Sequence, residues 1–380
     1  MKRVWTINGR FLTQPVTGVQ RYAREIVKAL DRLMSAGHPL ARDLEMDIVR
    51  PPGDAPDLEL EHIELRIAGH SSGYLWEQAE LPAIARGGIV SLCNVGPLAA
   101  KKQVLCIHDV NTWLSPASYS WKFRALYRSL LPALGNRASK VVTVSHFSAG
   151  QIARFGIAPA ERIDVIPNGR EHALRWEARH SAATRAVAGE STIVVIGSPA
   201  PHKNVAMLLG LADKLAAAGL KLAVVGALDA RIFAHCGAAP VAPNVHWLGR
   251  LTDGEIAALL SDCLCLAFPS LTEGFGLPAL EAMSLGCPVV ASDRASLPEI
   301  CDDAALYAPP DEPSRWLARL IELKSDGGLR RDLRRRGRLT VQRYSWPRSA
   351  ELYLEALAEI DGVLRPVDEP APALRQAALS

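Results

Sequence analysis

The sequence predicts an α/β protein built from two Rossmann-like domains that face each other across a cleft. Short apolar runs alternate with helical patterns over most of the chain, and this alternation is typical of βαβ units and parallel sheets. The chain has 380 residues, which suits two domains of ordinary size. The alternation breaks once, where charged and small residues dominate, so we predict a linker at residues 171–190.

The first domain is predicted over residues 1–170. Its first strand is the apolar run Val4–Ile7, and a helix follows from about Thr17 to Leu33. The next strands end at polar residues or a turn signal; they are Val104–Ile107, Val141–Val144 and a run from Ile163 that closes with Pro167-Asn168-Gly169.

The second domain is predicted over residues 191–345. Five apolar runs mark its strands: Thr192–Ile196, Leu220–Val225, Val245–Leu248, Cys263–Phe268 and Pro288–Ala291. The last helical pattern follows Trp346-Pro347 and runs from about Arg348 to Leu364, and we assign it to a separate helix, residues 346–365. Residues 366–380 are rich in Pro and Ala and are predicted to form a flexible tail.

The composition argues against several other classes of protein. The chain is 49% hydrophobic and 22% charged, and its net charge of +3 is far from that of a dedicated nucleic-acid binder. No apolar stretch approaches a membrane span, and the N-terminus lacks the apolar region of a signal peptide, so we expect a cytoplasmic protein. The seven cysteines form no CxxC pair, and we interpret Cys263 and Cys265 as small apolar residues of a buried strand.

The most informative segment is FPSLTEGFGLPALEAMSLG, from Phe268 to Gly286. A buried strand is predicted to end at Phe268, and a loop with two glycines follows. Pro278 suits the first position of a helix, because it lacks an N–H and has a fixed φ, and Gly286 suits the end of that helix. We expect the free N–H groups near Phe275 to Leu277 to face the cleft and to bind phosphate.

Four residues of this segment indicate the kind of ligand. Gly274 and Gly276 carry no side chain that would block close approach. Glu273 lies in the loop beside the expected anion, and Glu281 lies about one turn into the helix. A carboxylate beside a phosphate is unfavourable unless it accepts hydrogen bonds from sugar hydroxyls, so the set points to a sugar-containing phosphate. The alternative is that both glutamates are solvated acids favoured by the helix dipole.

The spacing Glu273-x7-Glu281 resembles the signature of the retaining glycosyltransferases with the GT-B fold, often called group 1 or family 4. The resemblance covers nearly the whole chain through four further motifs, TGVQRY (Thr17–Tyr22), VSHFS (Val144–Ser148), IPNG (Ile166–Gly169) and PHKN (Pro201–Asn204). The form TGVQRY is similar to that of bacterial mannosyl- and rhamnosyltransferases that build surface polysaccharides. The resemblance implies the GT-B architecture, with the C-terminal helix crossing back to the first domain.

The resemblance also implies roles for individual residues. Glu273 contacts the donor sugar, Glu281 holds the ribose, and Lys203 neutralises the leaving diphosphate, which is where electrostatic catalysis contributes most. The expected donor site further includes Gly18, Ser198, His202, Phe275, Gly276 and Leu277. An arginine usually precedes the lysine in this family, whereas this chain has His202, so half of the cationic clamp is weakened or supplied from elsewhere.

His108 follows the buried strand Val104–Ile107 and precedes Asp109, at a strand end where α/β folds place active residues. The resemblance implies that His108 hydrogen-bonds a hydroxyl of the donor sugar, so we count it with Glu273 and Lys203 as catalytic. The alternative is a structural histidine. Arg21, on the first helix, either faces the cleft or is a solvated surface residue.

We predict an enzyme that needs no metal ion and no cofactor besides its nucleotide-sugar substrate. The sequence shows no His/Asp/Cys cluster with metal-ligand spacing and no DxD motif. It also offers no convincing pair of nucleophile and general acid as in retaining hydrolases. A front-face substitution, in which the leaving phosphate accepts the proton of the acceptor, fits this absence.

The expected substrates are a nucleotide-sugar donor and a glycan or polyprenyl-diphosphate-linked acceptor. GDP-mannose is the first expectation for the donor, by resemblance, and UDP- and dTDP-sugars stay open, as does a sugar-nucleotide epimerase on the same fold. The segment 121–140 is basic and interleaved with aromatics, including Trp121 and Phe123. It predicts peripheral contact with anionic headgroups on the inner face of the membrane; the alternative is a helix with one buried and one solvated face.

Overall fold

The computed structural model describes residues 2–55, 58–198, 200–226 and 242–364. The predicted flexible tail, residues 366–380, and Cys236 lie outside the described residues. Two parallel sheets with helices on both faces dominate the architecture, as the sequence predicts.

The first sheet has seven parallel strands in the order β3-β2-β1-β4-β5-β6-β7. Its strands are β1 Arg3–Asn8, β2 Leu44–Arg50, β3 Glu64–Ile67, β4 Gly88–Ser91, β5 Gln103–Cys106, β6 Lys140–Thr143 and β7 Ile163–Val165. The sequence pattern did not reveal β2, β3 and β4. In β2 and β3, near the edge of the sheet, charged residues interrupt the alternation of apolar and polar side chains. Strand β4 is short and wholly buried, so it shows no such alternation.

The second sheet has six parallel strands in the order β10-β9-β8-β11-β12-β13. These are β8 Thr192–Ile196, β9 Lys221–Val225, β10 Val245–Gly249, β11 Cys265–Phe268, β12 Val289–Ser292 and β13 Ala305–Ala308. The predicted strand from Cys263 is two residues too long, because Cys263 ends the preceding helix. Strand β13 was missed.

The strand orders decide where a ligand can bind. In each sheet the chain first builds strands to one side and then returns to the other, so the order reverses between β1 and β4 and between β8 and β11. Loops that leave these neighbouring strands diverge and open a crevice at their carboxyl ends, which is where doubly wound folds bind ligands. The structure therefore confirms the predicted pair of Rossmann-like domains.

The described α-helices surround the sheets. In chain order they are α1 Gly18–Ser35, α2 Gly73–Leu75, α3 Leu81–Ile84, α4 Asn111–Leu114, α5 Trp121–Arg137, α6 His146–Arg154, α7 Glu171–Leu174, α8 Ala182–Val187, α9 Val205–Leu209, α10 Ala212–Ala217, α11 Asp253–Asp262, α12 Leu277–Ser284, α13 Leu297–Cys301, α14 Pro313–Ser325, α15 Gly327–Thr340 and α16 Trp346–Ile360. The stretch predicted as a linker, 171–190, contains α7 and α8.

Helix α1 is the long helix predicted from about Thr17. Thr17 is its N-cap, and the reciprocal bonds between Thr17 and Gln20 form a capping box. The buried face carries residues at helical spacing, among them Tyr22, Ile26 and Leu30, all fully excluded from solvent. Burying these three side chains contributes on the order of 1.5–3 kcal/mol each, which holds α1 against the first sheet.

The C-terminal helix α16 returns to the first domain and packs against α1. The hydroxyls of Tyr353 and Tyr22 are 2.9 Å apart, and Asp361, just after the helix, accepts a 2.7 Å bond from Arg3. The helix begins at Trp346, the first residue of the predicted segment 346–365, with Pro347 in its first turn, where proline is well tolerated.

The structure differs from the sequence-based expectation at Pro278 and at Lys140, the last residue of the basic segment 121–140. Pro278 occupies the second rather than the first position of α12, because Leu277 already has helical geometry after the N-cap Gly276. Lys140 is unavailable to lipid headgroups, since it is buried and its ammonium pairs with Asp164 at 3.0 Å and with Glu359 at 2.5 Å.

Candidate active site

A cleft of about 1070 Å³ lies between the carboxyl ends of the two sheets. All the residues proposed from the sequence line it: Gly18, His108, Ser198, His202, Lys203, Glu273, Phe275, Gly276, Leu277 and Glu281. They come from both domains and are up to 263 positions apart, between Gly18 and Glu281, so tertiary packing assembles the set.

The N-terminus of α12 supplies the expected phosphate-binding end. The N-cap Gly276 has φ +99°, a conformation that suits glycine, and the helix has eight residues. The first N–H groups of a helix have no intrahelical acceptor, so the N–H of Leu277 is available to an anion. Gly18, at the start of α1, lies opposite, because a Cβ built on Gly18 would be 4.0 Å from the Leu277 side chain.

The glycines of this loop have a packing role that the sequence did not suggest. A Cβ on Gly274 would lie 2.2 Å from the carbonyl oxygen of His108 in the first domain. A Cβ on Gly276 would lie 2.6 Å from the side chain of Leu297. Gly274 is therefore required for close contact between the domains, and not only for access by a ligand.

Serine hydroxyls hold the loop from both sides. Ser145 and Ser148, at the start of α6, donate to the carbonyl of Gly274 at 2.5 and 3.1 Å. Ser296 donates to the carbonyls of Glu273 at 3.1 Å and Phe275 at 2.9 Å. The VSHFS motif thus contributes to the site by docking on the loop of the other domain, a role that the motif alone did not reveal.

Lys203 and Glu273 form an ion pair in the cleft. The Lys203 ammonium is 2.7 Å from a carboxylate oxygen of Glu273, and both side chains are largely buried. A lysine has three N–H donors, so two remain for other oxygens. Asn204, which has φ +53°, donates to the carbonyls of Pro269 and Pro310 and ties the lysine turn to the Glu273 loop.

His202 does not supply a second positive charge. Burial, and next the neighbouring Lys203, lower the pKa of His202 below its usual value near 6.5, so the ring is neutral at neutral pH. Its Nδ1 lies 2.9 Å from the hydroxyl of Ser118 in the first domain. The histidine in the position of the family arginine therefore acts as a polar contact between domains.

The carboxylate of Glu281 is held by residues that the sequence did not assign to the site. His172 Nε2 lies 2.9 Å from Glu281 Oε1, and Arg21 Nε lies 3.9 Å from the same oxygen. Arg21 also forms two hydrogen bonds with Asp253, at 2.7 and 3.0 Å. Of the two alternatives for Arg21, the structure supports the one in which it faces the cleft. His172 carried no motif signal.

His108 is buried at the end of β5. Its Nε2 lies 2.8 Å from the carbonyl of Leu92, so Nε2 carries the proton and donates. Burial lowers the pKa of His108, but the contacts with Cys106 and with the Leu92 carbonyl outweigh it and raise the pKa. The neighbouring Asp109 also lines the cleft, and burial raises the pKa of its carboxyl group.

The described residues form neither a metal-binding cluster nor a membrane-spanning helix. Within residues 2–55, 58–198, 200–226 and 242–364, no three His, Cys, Asp or Glu side chains are grouped so that they could hold a metal ion. No helix in the described part of the chain is long and apolar enough to cross a membrane.

Two facing Rossmann-like domains, with a helix N-terminus, a lysine and two glutamates in the cleft between them, define a sugar-transferring enzyme of the GT-B class. Residues 16–174 match the family described as Glycosyltransferase Family 4, and residues 177–340 match the family described as Glycosyl transferases group 1. The chain belongs to these glycosyltransferases, and it is a hexosyltransferase.

Two relatives agree with this assignment, and a solved structure shares the fold. The chain is 29% identical to O-antigen chain mannosyltransferase B of Escherichia coli over 267 residues, which is 66% of this chain and 68% of the relative. It is 31% identical to the MMP alpha-(1->4)-mannosyltransferase of Mycolicibacterium hassiacum over 298 residues, 73% of this chain and 68% of the relative. Sucrose-phosphate synthase from Thermosynechococcus elongatus shares the fold, with a TM-score of 0.70, 19% identity, and coverage of 96% of this chain and all of that chain.

Proposed function

We propose that this glycosyltransferase is a retaining, metal-independent mannosyltransferase that uses GDP-mannose and builds a surface polysaccharide. The observation that carries the proposal is the Lys203–Glu273 ion pair, set in the same cleft as the N-terminus of α12 and the carboxylate of Glu281. This set offers a cation, backbone N–H groups and two hydrogen-bond acceptors, which are the groups that a nucleotide sugar needs.

The donor is proposed to bind along the second domain. The N–H groups at Phe275 to Leu277 hold the diphosphate, and Glu281 accepts hydrogen bonds from the ribose. Glu273 accepts hydrogen bonds from hydroxyls of the sugar, while its ion pair with Lys203 keeps the ammonium group in place. Gly18, Ser198 and His202 complete the walls of this site.

The proposed reaction is a front-face substitution. The bond between the anomeric carbon and the diphosphate oxygen breaks while an acceptor hydroxyl attacks from the same face and its proton passes to the leaving diphosphate. Lys203 stabilises the negative charge that grows on that diphosphate, and a fixed cation in a partly buried site is effective because it needs no reorganisation. His108, whose Nε2 is already engaged by Leu92, is proposed to support the donor sugar at the end of β5.

The choice of sugar and pathway comes from the relatives. Two of them are called mannosyltransferases, and one of these acts on an O-antigen chain according to its name. By this likeness the acceptor is a glycan or a lipid-linked sugar, and we also propose that the enzyme works on the cytoplasmic side. Helix α5 fits peripheral membrane contact, because Trp121 and Leu126 are 68% and 46% exposed and Lys122 lies beside them.

The proposal is tested first by binding and then by transfer. Thermal shifts with GDP, UDP, dTDP and ADP, with and without EDTA, identify the base, because a specific ligand raises the apparent stability. We expect a shift with GDP that EDTA does not change and that Glu281→Ala removes, whereas Glu322→Ala, an exposed glutamate of α14, keeps it. A shift confined to another diphosphate refutes the choice of GDP.

Transfer is then measured with GDP-mannose and a mannosylated acceptor, and the product is analysed by NMR. An α-linked product from the α-configured donor is expected. A β-linked product refutes retention, and conversion of the nucleotide sugar without any acceptor identifies an epimerase instead.

A further inference from the structure

Helix α15 presents a face of arginines that has no role in the cleft. Arg331, Arg334, Arg335 and Arg338 follow the spacing i, i+3, i+4, i+7, so they share one side of the helix. Together with Leu339 they line a concave surface of about 360 Å³ to which no carboxylate contributes. We call these five residues the α15 basic surface.

The rest of α15 explains why this face points outward. Leu333, Gly337 and Thr340 are buried, and a Cβ on Gly337 would lie 3.3 Å from Met283 of α12. The helix therefore packs its small and apolar residues on the second domain and leaves Arg331, Arg335 and Arg338 exposed, with Arg334 half-buried between them. Leu339 remains 55% exposed beside them.

The charges on this face are only partly compensated. Arg335 pairs with Asp332 at 2.7 Å. Among the described residues, Arg331, Arg334 and Arg338 have no acidic partner. Like charges four residues apart on a helix destabilise it by a few tenths of a kcal/mol per pair, so the arrangement costs stability unless an anion binds.

We propose that the α15 basic surface docks on an anionic phospholipid membrane. Guanidinium groups form paired hydrogen bonds with phosphate oxygens, and an exposed leucine beside them fits the boundary of the acyl chains. A lipid surface offers phosphate oxygens to the arginines and acyl chains to Leu339 together, whereas free phosphate leaves the leucine in water. The proposal does not depend on the identity of the donor or on helix α5.

The test is flotation of the full chain with phosphatidylcholine vesicles with and without phosphatidylglycerol. We expect binding to the anionic vesicles that weakens with salt. Replacing Arg331, Arg334 and Arg338 by Ala should lower the partition coefficient about a hundredfold, since each basic residue near an anionic surface contributes about a factor of five. Transfer to a soluble acceptor should stay unchanged.

A matched control removes the same charge elsewhere. Arg315, Arg319 and Arg348 are exposed arginines paired with glutamates on α14 and α16, and their triple replacement by Ala should leave flotation nearly unchanged. Equal losses in both triple variants overturn the proposal, because net charge alone then explains binding. It is also overturned if the α15 triple variant floats like the wild type, or if it changes only self-association in sedimentation velocity.

A second inference concerns His172 and Trp346. The indole N–H of Trp346 donates to His172 Nδ1 at 3.0 Å, and an indole can only donate. His172 therefore carries its proton on Nε2, which donates to Glu281 Oε1 at 2.9 Å. We infer that His172 and Trp346 are positioning residues that aim the Glu281 carboxylate at the ribose; this inference rests on the proposed function of Glu281.

The two hydrogen bonds from Trp346 to His172 and from His172 to Glu281, which we call the relay, join three distant parts of the chain. Trp346 begins α16, His172 lies in α7 and Glu281 lies in α12, and all three are buried. Glu171 strengthens the same connection, since its carboxylate accepts the backbone N–H of Trp346 at 3.0 Å. The helix that crosses back to the first domain is thereby linked to the donor site.

Calorimetry with GDP and with inorganic diphosphate tests this inference. His172→Ala should weaken GDP binding about tenfold and leave inorganic diphosphate unchanged, because a hydrogen bond to a charged group contributes at this level. His172→Gln, whose amide can still donate, should recover part of the affinity, and Trp346→Phe should show a smaller loss than His172→Ala.

The Glu281→Ala background separates positioning from structure. In that background His172→Ala should cause no further loss, because the carboxylate it orients is gone. An additional loss there, or an equal loss for inorganic diphosphate, overturns the inference. If Glu281→Ala itself leaves GDP binding intact, the proposed role of Glu281 fails, and the relay has no binding role.

Discussion

The two halves of the cleft are built in different ways. In the second domain the chemical groups come from two short segments, Ser198–Lys203 and Glu273–Glu281, which follow the neighbouring strands β8 and β11. In the first domain the contributions come from separate places, such as Gly18, His108 and Ser145, and act largely through backbone contacts with the other domain. The charged groups proposed for catalysis thus come from the second domain, while the first domain holds the loop that carries Glu273.

This difference separates two kinds of variant. Changes to the charged side chains of the second-domain half should reduce turnover or donor binding without unfolding the protein. Changes that disturb the contact between the domains, from either side of it, should reduce activity together with stability.

The largest effect is expected for Lys203→Ala. If Lys203 is the cation proposed to stabilise the leaving diphosphate, its removal should lower kcat about 10²–10³-fold, as for other fixed electrostatic groups. Steady-state kinetics with the donor at saturation measure it, and Lys214→Ala, an exposed lysine of α10, is the control. If the Lys203→Ala variant keeps more than a tenth of wild-type kcat, a group other than Lys203 stabilises the leaving diphosphate.

The next effect is expected for Gly274→Ala. The new methyl group would lie 2.2 Å from the His108 carbonyl, so the loop or the domains must move, at a cost of about 1–3 kcal/mol. Thermal unfolding should show a lower Tm, accompanied by loss of transfer. Gly150→Ala in α6 is the control, because a Cβ there meets nothing within 4 Å. A normal Tm for the Gly274 variant would contradict the tight contact between domains.

A smaller loss is expected for Ser145→Ala. The change removes the N-cap of α6 and the bond to Gly274, which together contribute about 1–2 kcal/mol. Ser120→Ala removes the N-cap of α5, whose hydroxyl makes no bond to the described residues of the second domain. Denaturant titrations of both variants give two losses in the free energy of unfolding, and their difference is the contribution of the bond between Ser145 and Gly274. Equal losses would assign the whole effect to capping.

The smallest effect concerns pH. The pKa of His202 is lower in the folded chain than the value near 6.5 of an unfolded one, so the unfolded state takes up more protons as the solution is acidified. The contribution of neutral His202 to the free energy of unfolding is present above about pH 6.5, and it is lost as the pH falls towards the pKa of His202 in the folded chain. Denaturation midpoints of wild type and His202→Gln should diverge at high pH and converge on acidification. Parallel curves would refute the neutral assignment of His202.

Most of the second-domain half was predictable because its signals are local. The position of Pro278, the glycines of the loop and the apolar run that ends at Phe268 all act within a few residues, and they place a helix N-terminus after a strand. The resemblance added roles to Glu273, Glu281 and Lys203, which the structure brings into one cleft. Those roles stay predictions until the variants are measured.

In the first-domain half, Gly18 and His108 were predicted from the sequence, whereas the contact of Ser145 with Gly274 and the hydrogen bond of His172 to Glu281 were not. Ser145 and Gly274 are 129 positions apart, and His172 and Glu281 are 109 apart. No local preference links such pairs; they meet only because two sheets pack face to face and α16 returns across them. The neutral state of His202 likewise follows from burial, which a sequence does not state.

The sequence by itself therefore determined the fold class, most strands and the loop that points N–H groups into the cleft, since backbone preferences and apolar periodicity are short-range properties. The tertiary structure decided which side chains orient Glu273 and Glu281 and which serines hold the loop between them. It also decided which arginines of α15 have no acidic partner among the described residues. Ion pairs and hydrogen bonds depend on the neighbours that folding brings together.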